Sequence, residues 1–305
     1  MPNFLIIGAP KAGTSAIYYY LNQHPEIYMS PVKEPHFFAL EGQSIDFQGP
    51  GDKERYRDAV TRVEDYRKLF DGVSDEIAIG EASTTYLSSP QAPFRIQHHI
   101  PDAKLIALLR NPADAAYACF LHLVRDGDEP LTDFARALQA EPQRIQQNWE
   151  GIWHYKNRSF YSPQIQRYLQ VFDRNQLKIY PYDRFKQNPT GILQDIFQFL
   201  EVDDKFIPDM SERYNVSGMP QNSTLNKLMV KPNPIKSTIN QLLPKEIRHG
   251  IANRLKQWNF RGYKKPPMPP EIRQQLLREY REDILKLQEL IHHDLSHWLE
   301  PIESK

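Results

Sequence analysis

Two short stretches of this chain carry residues suited to holding anions. The first is Gly8-Ala-Pro-Lys-Ala-Gly-Thr-Ser15, set between an apolar run and a helical pattern. A strand-to-helix turn of this kind aims successive backbone N–H groups inward, and the helix adds the positive end of its dipole. The candidate binding segment runs through Pro10, Lys11, Ala12, Gly13, Thr14 and Ser15: the glycine permits close approach, the hydroxyls donate, and Lys11 brings a point charge. The second stretch is Arg110-Asn-Pro112, which follows the apolar run Ala103–Leu109. A guanidinium there can grip a phosphate through two parallel hydrogen bonds, and a helix opening near Pro112 favours the same charge. Two anion sites at two strand ends suit a ligand with two separate phosphates. The first turn approaches the nucleotide pattern G-x-x-x-x-G-K-[ST], but Thr14 stands where the lysine belongs and Lys11 sits in the crown. With no strand evidently ending in a magnesium-holding carboxylate, triphosphate hydrolysis is disfavoured. The histidines lack metal-ligand spacing with cysteines or carboxylates, so no metal site is expected.

Alternating elements must position these residues. Asn3–Gly8, Glu76–Gly80, Ala103–Leu109 and Leu177–Tyr180 read as short strands. Helices are expected from the first turn to about Asn22, over Pro90–Ile100 with Phe94 and Ile96 near the buried side, from Pro112 to about Arg125, and over Pro163–Phe172 and Gly191–Leu200. This alternation predicts an α/β fold: a P-loop-type, three-layer arrangement with a central parallel sheet and helices on both faces. Apolar residues at Ile272, Leu276, Tyr280, Ile284, Leu287 and Ile291 predict a long amphipathic helix, whole or broken, over Pro270–Trp298. Stretches 40–56 and 203–234 read as loops. Residues 1–305 are expected to form a single domain, with 203–305 a mostly helical and loop extension packed on it.

Taken in order, these segments resemble the sulfotransferases that use 3′-phosphoadenosine 5′-phosphosulfate (PAPS), in their bacterial and heparan-type branch. Phe4–Ser15 is similar to the family's loop for the 5′-phosphosulfate, and Ala103–Asp114 to its strand and Arg-Asn-Pro signature for the 3′-phosphate. Pro31-Val-Lys-Glu-Pro-His-Phe-Phe38 resembles the segment carrying the catalytic base; Gly80–Leu87 and the tail Asp283–Trp298 match the same branch. The resemblance implies transfer of a sulfuryl group to an acceptor hydroxyl or amine without a metal, with Lys11 neutralising the departing phosphate. Glu34 is the first candidate for the base: Pro35 keeps it out of helical geometry, and neighbouring aromatics are expected to raise its pKa. His36 is the second, on the same face of an extended segment, and Lys33 assists or binds the sulfate. His122, His154 and Trp153 are candidates for the acceptor pocket; ordinary core packing is the competing reading for the aromatics Trp149, Trp153, Tyr155 and Tyr161. The family pattern has an arginine and a serine where this chain has Ala115 and Ala118, which weakens the 3′-phosphate site. Arg261-Gly262 resembles the family's late basic-glycine contact with that phosphate and is the expected compensation.

Composition narrows the partners. Lys plus Arg and Asp plus Glu both number 38, so no overall field draws the chain to nucleic acid or an anionic membrane. The single cysteine, Cys119, forbids an internal disulfide, and no apolar run approaches the roughly 20 residues needed to span a bilayer. With no signal-peptide pattern at the N-terminus, a cytoplasmic enzyme acting on a small molecule is expected rather than a secretory-pathway enzyme acting on long polyanionic glycans. Two other readings stay open: a P-loop nucleotide or small-molecule kinase, and a catalytically silent nucleotide-binding protein of the same fold. The oligomeric state is not legible.

Overall fold

A computed structural model describes residues 1–211 and 266–300. Five strands, β1 (Phe4–Gly8), β2 (Ile27–Met29), β3 (Ala78–Ala82), β4 (Lys104–Leu109) and β5 (Leu177–Pro181), form an all-parallel sheet in the order β2-β3-β1-β4-β5. Every residue of β1 and all of β4 beyond Lys104 are buried. Burial on both faces is why these strands read as continuous apolar runs rather than alternating ones. β1 and β3 pair with Phe4 opposite Gly80, and a Cβ at Gly80 would lie 2.2 Å from the Phe4 ring. The glycine makes room for that ring in the core.

The strand order reverses between β1 and β4. Ligands of open α/β sheets bind beyond the carboxyl ends of the strands at such a switch point. Here the turns leaving β1 and β4 are the two anion-suited stretches. They lead into α1 (Thr14–Leu21) and α3 (Pro112–Asp126); α2 (Ala92–His99) precedes β4, and α4 (Ser162–Leu169) and α5 (Pro189–Leu200) flank β5.

The last long helix, α6 (Pro270–Ile291), buries Leu276, Leu277, Tyr280, Ile284, Leu287 and Ile291 against the same core. Each such side chain contributes about 1.5–3 kcal/mol on full burial. Asp283 on α6 accepts hydrogen bonds from the Tyr161 N–H (2.8 Å) and the Ser162 hydroxyl (2.6 Å), fastening the start of α4. The helix ends where His292 takes a left-handed conformation, and a short turn then buries Trp298. Among the described residues no helix is long and apolar enough to cross a membrane.

The expected elements recur with local differences. The second expected strand begins two residues later, at Ala78, and β2 was not expected: three residues at the sheet edge give too little pattern. Ile96 is buried as expected, but Phe94 is 56% exposed because it points to the other side of α2. Stretch 40–56 holds a one-turn helix, Asp52–Arg55. Of the loop expected at 203–234, only residues 203–211 are described.

Candidate active site

The turn after β1 is shaped for close approach. Gly13 has φ 93°, and a Cβ there would stand 2.9 Å from the Tyr182 ring. Only glycine meets both demands without strain. Gly13 caps α1 without any side-chain hydrogen bond, so the first N–H groups of this helix lack a side-chain partner. At α3 the reverse holds. Asn111 Oδ1 accepts from the N–H groups of Ala113 (3.1 Å) and Asp114 (3.3 Å), while its amide donates to the Trp298 carbonyl (2.9 Å). The expectation that α3 offers its N-terminus to an anion is therefore corrected: Asn111 already occupies those donors, and of the expected pair only the Arg110 guanidinium is left for that role.

Arg110 Nη1 donates to the Lys11 carbonyl (3.0 Å), and its guanidinium lies 5.3 Å from the Tyr182 ring centroid. Burial lowers the Lys11 pKa, and Arg125 and Arg110 push the same way. Neither Lys11 nor Arg110 forms an ion pair among the described residues. Two cations without carboxylate partners among the described residues face an uncapped helix start, an arrangement that suits anions.

The opposite wall follows β2 and β3. Glu34 accepts from Lys33 Nζ (2.6 Å), the Thr84 N–H (2.7 Å) and the Thr84 hydroxyl (3.2 Å). Both Glu34 (φ 61°) and His36 (φ 59°) are left-handed, not extended. Pro35 bars right-handed helical geometry before it, but the contacts to Ser83 and Thr84 select the conformation. Strained backbone of this kind persists where the surroundings over-determine it, often at functional sites. The expected rise in the Glu34 pKa is also corrected. Burial alone pushes it up, but the Lys33 and His36 charges and the donors from Lys33 and Thr84 bring it down to about 2. His36 donates its backbone N–H to Ser83 Oγ (3.1 Å), pairs Nδ1 with the Thr85 hydroxyl (2.9 Å) and packs on Tyr56. Burial lowers its pKa, opposed by the Glu34 and Glu150 charges.

One cavity of about 460 Å³ joins the two walls. It brings together Pro10, Lys11, Gly13, Thr14, Ser15 and Arg110 with Lys33, Glu34, His36 and His122. His122 accepts from Arg125 at Nδ1 (2.6 Å), which leaves its proton on Nε2; burial and the Lys11 charge pull its pKa to about 3. Three expected residues fall elsewhere. Ala12 turns its methyl into the core. Trp153 is fully buried, with its indole N–H donated to Asp52 (2.8 Å), so it is a packing residue and not an acceptor wall. His154 lines a neighbouring cavity. Ala115 and Ala118 are buried on α3 outside this lining. Arg261 and Gly262 lie outside the described residues. Arg55, Tyr56, Glu150, Arg158 and Lys186 also line the cavity and were not singled out from sequence, because only long-range folding brings them there.

Beneath Glu34 lies a fully buried carboxyl. Glu81 accepts from the hydroxyls of Tyr86 (2.5 Å), Ser83 (3.0 Å) and Tyr66 (3.1 Å). Burial, opposed by these donors, raises its pKa from 4.5 to about 7. The folded state therefore holds a proton that the unfolded chain releases near pH 4.5. Stability from this group falls as pH rises from about 4.5 to 7, by roughly 3 kcal/mol. Denaturant titrations of the wild type and Glu81→Gln across that window are expected to show the wild type losing about this much relative to the variant. Parallel curves would refute the assignment.

Residues 1–288 match the family model described as the sulfotransferase domain. The crystal structure of a sulfotransferase from Alicyclobacillus acidocaldarius is 34% identical, covers 98% of this chain and 99% of its own, and superposes with a TM-score of 0.78. The bifunctional heparan sulfate N-deacetylase/N-sulfotransferase 2 of Bos taurus is 29% identical over 208 residues, 66% of this chain but 22% of that protein. Human carbohydrate sulfotransferase 15 is 27% identical over 251 residues, 66% of this chain and 44% of its own. The chain thus spans less than half the length of these curated relatives. Family match, parallel sheet and anion-seeking cavity agree, and the chain belongs to the sulfotransferase domain family, enzymes whose sulfuryl donor is PAPS.

Proposed function

We propose that this chain moves a sulfuryl group from PAPS to a hydroxyl or amine of a small-molecule acceptor, acting as a single intracellular domain. The observation that carries this reading is the pair of cations without an ion-pair partner among the described residues, Lys11 and Arg110, facing Lys33, Glu34 and His36 across one cavity. The donor's two phosphates suit them: the 5′ side at the uncapped start of α1 and Lys11, the 3′ side at Arg110, with Lys186 nearby in place of the missing serine.

PAPS supplies the sulfuryl group, and its 5′-phosphate leaves with the electron pair of the broken S–O bond. Glu34 takes the proton from the acceptor as the acceptor atom bonds to sulfur. Lys11 neutralises the charge that gathers on the departing phosphate. Lys33 has to release Glu34 for the carboxylate to regain basicity, and a lysine that turns to the sulfuryl oxygens achieves both. His122 offers Nε2–H to the same space. His36 remains the second candidate for the base; its contact with Thr85 and the Glu34 carboxylate (3.9 Å) also suits it to hold Glu34 in place.

A thermal melt with adenosine 3′,5′-bisphosphate (PAP) tests the donor site. At a hundred times its dissociation constant the ligand is expected to add about 2.7 kcal/mol, a rise of roughly 5–10 °C. Arg110→Ala is expected to weaken binding by about 10- to 100-fold, the worth of a charged hydrogen-bond pair. A shift with magnesium-ATP in place of PAP would replace this reading with a kinase.

A further inference from the structure

A second cavity, also about 460 Å³, adjoins the first and shares Tyr56, Thr85, Glu150 and Arg158 with it. Glu34 and His36 stand immediately behind this shared wall, on Thr84 and Thr85. Leu40, Phe47 and Phe160 give it apolar sides. Its polar groups are poorly matched. Of the six buried side-chain polar atoms without a partner among the described residues, four belong to its lining: His154 Nε2, Arg158 Nε, Gln164 Oε1 and Arg167 Nε. Native interiors leave few such atoms unpaired, and concentrating them around one cavity points to a polar ligand.

The charges indicate which kind. Glu150 is already answered by the Ile152 N–H (2.8 Å), the Tyr56 hydroxyl and Arg158 at 4.0 Å. Arg167, at the other end, has no carboxylate partner among the described residues and donates only to the Ser88 carbonyl (3.3 Å). Partial burial lowers its pKa, and no carboxylate among the described residues offsets that.

We propose that this second cavity seats the acceptor, and that the acceptor is a small molecule carrying a carboxylate, held by Arg167, with its hydroxyl or amine presented at the shared wall. This rests on the sulfuryl-transfer reading above. It also assigns Arg167 a part in specificity: an anionic tail is drawn in and a cationic one is repelled.

Three phenols of one frame test it: 4-hydroxyphenylacetate, 4-hydroxyphenylethanol and tyramine, each offered with PAPS to the full chain, with PAP release and sulfated phenol both measured. The acetate is expected to exceed the neutral alcohol in kcat/KM by about tenfold, the worth of one ion pair, and tyramine to rank last. Arg167→Gln is expected to erase the ranking, and Arg167→Lys to restore part of it. A PAP melting shift equal to wild type shows that each variant is folded. A ranking without the anion first, a ranking that survives Arg167→Gln, or no transfer to any of the three with the PAP shift intact would each overturn the acceptor assignment. Loss of the PAP shift in the wild type would instead overturn the sulfuryl-transfer reading, and this proposal with it.

Discussion

Glu34→Gln is expected to lower kcat by about 10²- to 10⁴-fold, the range of a lost general base. The side chain keeps its shape, and the Gln carbonyl oxygen can still accept the Thr84 N–H that now meets the carboxylate at 2.7 Å. Binding of PAP is expected to persist, because the proposed phosphate contacts lie on the β1 and β4 turns. Single-turnover transfer together with a PAP melt separates the two. Turnover near wild type would move the base to His36, and His36→Asn would then carry the loss. The pH profile adds a check. With its pKa at about 2, Glu34 is ionised throughout the range in which the protein is handled. No fall in kcat/KM between pH 5 and 8 is expected from protonation of this carboxylate in the free enzyme.

Lys11→Met is expected to lower kcat by about 10²- to 10³-fold, as when one preorganised donor to a developing charge is removed. The same substitution removes a half-buried ammonium that has no ion-pair partner among the described residues, so the ligand-free protein is expected to melt no lower than wild type. Activity lost with stability kept or gained is the signature of a residue strained for function. A variant that simply unfolds would show Lys11 to be structural, and comparable rates would take it out of the reaction. Lys11→Arg serves as the charge-preserving control.

What the sequence made legible follows from contact range. β1 and β4 were readable because burial on both faces writes itself as an unbroken apolar run, and the turn from β1 into α1 because its residues are consecutive. β2 was not, since Ile27–Met29 is three residues long and takes its register from β3. Glu34 and His36 stand out by residue type, and the Lys33 and His36 charges that do most to lower the Glu34 pKa are its near neighbours, but the Thr84 N–H that also lowers it and holds the carboxylate lies 50 positions away. Pro35 says only which conformation its predecessor avoids. Trp153 was misplaced because an aromatic looks alike in a core and in a pocket wall until its N–H partner, Asp52, is known. Arg55, Glu150, Arg158 and Arg167 carry no local pattern at all.

Arg110 holds the carbonyl of Lys11, so the ends of β1 and β4 are braced against each other before any ligand arrives. A cradle assembled in advance has little ordering entropy left to lose on binding. Under the proposed reading it receives donor and spent nucleotide alike, since PAP keeps both phosphates of PAPS. Each turnover would then leave PAP seated where the next donor has to bind. PAP is therefore expected to inhibit in competition with PAPS, so that turnover slows as the spent nucleotide accumulates.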